Sequence, residues 1–140
     1  MPGRPRGRFH ILVVDDDTEM TDMLDAVLSD AGYRVTSADQ GEDALRQVRR
    51  EPPDLMITDL SMPGMGGLEL IEAVHRLYPH LPSIILTAFG DWPSFCRAQD
   101  LCVKRYLSKP IAMDDLLRGI GDLLNPQNHS KPSKGRIQSC

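Results

Sequence analysis

Five short apolar runs, each closed by polar residues and each followed by a segment of helical period, constrain this chain more than any other feature. Phe9 to Val14 (FHILVV) runs into Asp15, Asp16 and Asp17. Tyr33 to Ala38 alternates weakly, Asp54 to Thr58 leads to Asp59, Ser83 to Leu86 reaches Thr87, and Val103 to Leu107 gives way to Ser108, Lys109 and Pro110. The helical segments are expected from Thr18, as cap, with Asp17 also a credible cap, to a stop at Gly32, with Met20, Met23, Leu24, Val27 and Leu28 inward. The others are expected at about Glu42 to Arg50, Leu68 to Leu77, Asp91 or Ser94 to Leu101, and Asp114 to Leu124. Strands alternating with helices predict an α/β fold: a doubly wound, five-stranded parallel sheet with helices on both faces, in three αβα layers. Right-handed crossovers put every strand's C-terminal end on one edge, where open α/β sheets bind ligands. The residues just past those ends are Asp15 and Asp16, Asp59, Thr87 and Lys109.

A length of 140 residues suits one domain, expected over 9–124, between a basic N-terminal extension at 1–8 and a flexible tail or linker at 125–140. Removing the six basic residues of the two ends from a net charge of −4 leaves −10 for the body. Basic ends without interleaved aromatics read as solvated tails, so no direct nucleic-acid binding is expected. No apolar run is long enough to span a bilayer, and the run before Asp15 is too short for a signal peptide. Cys96, Cys102 and Cys140 lack paired zinc spacing and are expected to be reduced thiols in the cytoplasm.

The stretch DLMITDLSMPGMGGLEL, from Asp54 to Leu70, places Asp59 at the mouth of a glycine-rich loop. An isolated acid there could simply cap the loop. With Asp15 and Asp16 on the same rim, three carboxylates would raise one another's pKa values unless a cation neutralised them. An all-oxygen set suits Mg2+, which shares its shell readily with phosphate oxygens. A carboxylate beside such an ion can attack phosphorus, while the Lys109 ammonium and the Thr87 hydroxyl can hold phosphoryl oxygens. The Lys109–Pro110 bond can adopt the cis form, which would turn the lysine inward.

ILVVDDD at 11–17, TDLSMPGMGGLEL at 58–70, IILTA at 84–88 and YLSKP at 106–110 resemble the receiver domain of two-component response regulators, over about residues 9–124. The resemblance implies a flavodoxin-like strand order, 2-1-3-4-5. It implies phosphorylation of Asp59 by a histidine kinase or phosphotransfer protein, with Mg2+ held by Asp16, Asp59 and the Ser61 backbone carbonyl and Asp15 acting mainly through water. Thr87, Ala88 and Lys109 would contact the phosphoryl group. Thr87 and Tyr106 would switch together, Tyr106 turning inward, and would reshape a face of helix four, strand five and helix five for an output domain, another partner or a second copy. The chain is then a signalling phosphoacceptor that loses its phosphoryl group slowly, not an enzyme. An aspartyl-phosphate hydrolase of the haloacid-dehalogenase type is disfavoured by Ser61, which stands where those enzymes carry their general acid. An interaction module that is never phosphorylated is the remaining alternative. Cys102 and Val103 replace a usual glycine and alanine after helix four, Ile111 and Ala112 depart from the pattern before helix five, and Trp92, Pro93 and Phe95 make the start of helix four bulky. These departures predict an atypical partner surface and a strained cap at Cys102.

Overall fold

The structure, a computed structural model, describes residues 8–88 and 90–125. Its elements are β1 (His10–Val14), α1 (Thr18–Asp30), β2 (Arg34–Ala38), α2 (Gly41–Arg50), β3 (Leu55–Thr58), α3 (Gly67–Leu77), β4 (Ser83–Thr87), α4 (Trp92–Asp100), β5 (Arg105–Ser108) and α5 (Met113–Leu124). All four strand pairings are parallel, in the order β2-β1-β3-β4-β5. This is the doubly wound flavodoxin-like order that the resemblance implies. The basic extension and the tail lie outside the described residues apart from Arg8 and Asn125. No described helix is long and apolar enough to cross a membrane.

The two faces of the sheet are separated by strand alternation. Ile11, Val13, Leu55, Ile57, Ile84 and Leu86 point to one side, where Leu24 and Leu28 of α1 and Leu116 and Ile120 of α5 cover them. Leu12, Val14, Met56 and Ile85 point to the other, against residues of α2, α3 and α4 such as Val48, Ile71 and Ala98. β1 and β3 are central strands buried at every position, which is why, His10 and Thr58 at their ends apart, they read as continuous apolar runs rather than alternating ones.

Three details refine or correct the expectations. The side chain of Asp17, not Thr18, caps α1, accepting from the N–H groups of Glu19 and Met20. Met23, expected in the inward stripe, is 43% exposed, and Thr21 is buried with Leu24 and Leu28 instead. Spacings of three and four residues define the buried face, and Met23 falls between them. Of the cysteines, Cys96 is a free thiol but Cys102 is disulfide-bonded, which corrects the expectation of reduced thiols. Sequence spacing does not report pairing in space.

Cys102 has φ 63°, so α4 ends on a left-handed residue that is not glycine. The Val103 N–H donates to Ala98 O and the Cys102 N–H to Gln99 O, the two bonds of a Schellman cap. A side chain in this conformation costs about 1–2 kcal/mol. Cys102→Gly should therefore raise stability by about 1 kcal/mol in urea titrations run with reductant, which removes the disulfide from the comparison; a loss would show that the cap is unstrained. Gly121 of α5 has open space around its Cα, so Gly121→Ala should also stabilise, by about 0.5–1 kcal/mol in the same assay.

Candidate functional site

The register of the sheet brings the rim residues together. β1 and β3 pair Val14 with Thr58, and one further ladder bond, from the Asp59 N–H to Val14 O at 3.0 Å, seats Asp59 beside Asp15. β4 and β5 pair Thr87 with Ser108, and the Lys109 N–H donates to Thr87 O at 2.9 Å. The strand order reverses between β1 and β3, the position at which doubly wound sheets open a crevice.

Lys109 bridges the two acids. Its Nζ donates to Asp15 Oδ2 at 2.8 Å and to Asp59 Oδ2 at 3.1 Å, and all three side chains are largely buried. The Lys109–Pro110 peptide is cis. The other Asp59 oxygen, Oδ1, accepts from the Leu60 N–H at 2.6 Å and the Ser61 N–H at 3.3 Å. Asp59 thus caps its loop with one oxygen and faces the lysine with the other. Asp16 is exposed, and its carboxylate lies with those of Asp15 and Asp59 in a cluster whose ligand atoms are within 4.8 Å of one another. Asp17 turns away to cap α1, but its N–H donates to Asp15 Oδ1 at 3.0 Å and steadies that carboxylate.

Burial raises the Asp15 pKa, outweighing the hydrogen bonds from Lys109 and the Asp17 N–H, and the Asp59 charge adds to the rise. Burial acts in the opposite sense on Lys109, but the hydrogen bonds and charges of Asp15 and Asp59 prevail and hold its ammonium above the ordinary lysine value. One lysine among three carboxylates leaves a surplus of negative charge. Oxygen donors this close, with charge to spare, fit a hard divalent cation.

Thr87 is buried at the end of β4, and Ala88 follows it at the surface. Tyr106 pairs with Ile85 across the β4–β5 ladder, on the same face as Thr87. Its ring meets Phe95 edge-on at 5.4 Å, and Phe95 stacks on Trp92 at 5.5 Å. Trp92 is not packed in the core but is 71% exposed, so the unusual start of α4 is a surface feature.

Two supports of Asp59 were missed in the sequence. The Thr58 hydroxyl, fully buried, donates to Asp59 O at 2.9 Å. Gly67 packs so closely that a Cβ there would lie 2.1 Å from Asp59 O. The only sequence signal for the second is a glycine at the start of a helix, where a side chain would ordinarily be tolerated.

Comparison with known proteins identifies the family of the fold. The profile of the family described as "Response regulator receiver domain" matches residues 11–120. The transcriptional regulatory protein GlrR of Escherichia coli (strain K12) is 39% identical over 115 residues, 82% of this chain and 26% of that protein. The DNA-binding transcriptional regulator NtrC of the same organism is 34% identical over 105 residues, 75% of this chain and 22% of that protein. The chain therefore spans about a quarter of the length of these relatives. Among solved structures, a CheY-like receiver domain protein from Methanospirillum hungatei JF-1 superposes with a TM-score of 0.84 at 30% identity, covering 87% of this chain and 98% of that one. The chain belongs to the receiver domain family of two-component response regulators.

Proposed function

We propose that Asp59 is the phosphoacceptor, modified by a histidine kinase or phosphotransfer protein with the help of Mg2+. The observation that supports this most is the Lys109 ammonium lying between Asp15 and Asp59, with Asp16 beside them. An Asp59 carboxylate oxygen bonds to phosphorus as the donor's P–N bond breaks, and the electron pair leaves with the imidazole, which takes up a proton. The Leu60 and Ser61 N–H groups hold the carboxylate oriented for this transfer. Lys109, the Thr87 hydroxyl and the Ala88 backbone receive the phosphoryl oxygens, and the lysine exchanges a carboxylate partner for a more highly charged one. Asp16, Asp59 and the Ser61 carbonyl would hold Mg2+, with Asp15 acting mainly through water; bound there, the ion neutralises charge on the transferring group.

In this reading Thr87 and Tyr106 carry the change to the face of α4, β5 and α5, where an output domain, another partner or a second copy would bind. The module acts in the cytoplasm between its basic end segments. It touches neither membrane nor nucleic acid directly and performs no turnover beyond its own phosphorylation and slow dephosphorylation. Incubation with a small phosphodonor and Mg2+, followed by intact mass, should show one phosphoryl group on the wild type and none on Asp59→Asn. An unchanged mass with every donor, or steady phosphate release from many organic phosphates, would overturn the proposal.

A further inference from the structure

In the loop between β4 and α4, Gly90 lies against Tyr106 of β5. A Cβ on Gly90 would lie 2.4 Å from Tyr106 Oη and 3.1 Å from its Cε1 and Cζ. What Gly90 supplies is room, and the phenol fills it. The Tyr106 hydroxyl is buried, and its polar neighbour is the Asp91 backbone, outside full hydrogen-bonding geometry, so packing has a large share in keeping it in place. That packing is the aromatic row of Phe95 and Trp92.

We infer that Gly90 is a positioning residue for Tyr106: its missing side chain lets the phenol lodge against the β4–α4 loop before any phosphoryl group arrives, and Phe95 and Trp92 brace it there. Gly90 stands three residues after Thr87, so the contact ties the aromatic row to the loop that leaves the phosphoryl site. The unmodified protein then already holds its switch tyrosine tucked in, with Trp92 outermost as the group a partner meets. Phosphorylation has correspondingly less rearrangement of this face left to drive. The functional meaning rests on the proposed role of Tyr106 in switching, but the contact itself belongs to the unmodified protein and is tested without phosphodonor, so failure of one is distinguishable from failure of the other.

The test uses the full chain with its tyrosines carbon-13 labelled at Cζ and Tyr106 assigned by Tyr106→Phe. Burial, with the nearby Asp91 charge, raises the wild-type Tyr106 phenol above the ordinary tyrosine range. In Gly90→Ala the methyl group should expel the ring: the titration returns to the ordinary range, and the emission of Trp92, the chain's only tryptophan, shifts. Adding Tyr106→Phe to Gly90→Ala removes the nearest clashing atom, so Trp92 emission should match that of Tyr106→Phe alone. Phe95→Ala, which removes the brace without touching the loop, should lower the Tyr106 titration in the same direction. Unchanged titration and emission in Gly90→Ala, an equal emission shift with and without the Tyr106 hydroxyl, or no effect of Phe95→Ala would each overturn the inference.

Discussion

Lys109→Met is expected to slow phosphoryl uptake by Asp59 about 100-fold, the usual cost of deleting one preorganised charge at a transferring group. It is also expected to destabilise the metal-free protein by roughly 2–3 kcal/mol, somewhat below the cost of breaking a fully buried pair because the rim is partly open to water. The reason is the shared hydrogen bonding of one ammonium to two acids, Asp15 at 2.8 Å and Asp59 at 3.1 Å. Without it, two nearly buried carboxylates face each other, and one must protonate or recruit a cation. Added Mg2+ should therefore raise the stability of the variant more than that of the wild type, since a ligand bound only by the folded state stabilises it by mass action. Urea titrations with and without Mg2+, beside a time course of intact mass, measure both effects. Wild-type uptake together with wild-type stability would show that the lysine is incidental to the site.

Gly67→Ala should cost about 3 kcal/mol, at the upper end for inserting a methyl group into tight packing. The atom it would strike, Asp59 O at 2.1 Å, is backbone and cannot swing aside as a flexible side chain would. The same movement would displace Asp59, so uptake of the phosphoryl group should fall with stability. Gly66→Ala is the internal comparison: its nearest neighbour is Leu60 O at 3.3 Å, which a shift of a few tenths of an ångström relieves, so it should cost markedly less. Equal stabilities for the two variants in urea unfolding would show that the loop after β3 is not held tightly beneath the acid.

The rim was legible because two independent periodicities converge on it. Apolar runs mark the strands, their C-terminal neighbours are Asp15, Asp59, Thr87 and Lys109, and parallel pairing then places these on one edge. Cap choice was less legible, since Asp17 and Thr18 are both good caps and only backbone geometry selects between them. The conformation of Cys102 ran against residue preference: the six-residue Schellman pattern at the end of α4 outweighed the side chain's cost. Close approaches were not legible at all. Gly67 under Asp59 O and Gly90 under the Tyr106 ring depend on where separate elements pass each other, and no local pattern encodes that distance.

An acyl phosphate can be trapped by hydride reduction, which converts a phosphorylated aspartate to homoserine and leaves free carboxylates untouched. Treating the wild type with a small phosphodonor and Mg2+, reducing it and sequencing its peptides by mass spectrometry should find homoserine at position 59 alone. Homoserine at Asp15 or Asp16, or phosphate recovered only on another residue type, would contradict the assignment of Asp59 as the group that the surrounding acids and Lys109 are arranged to serve.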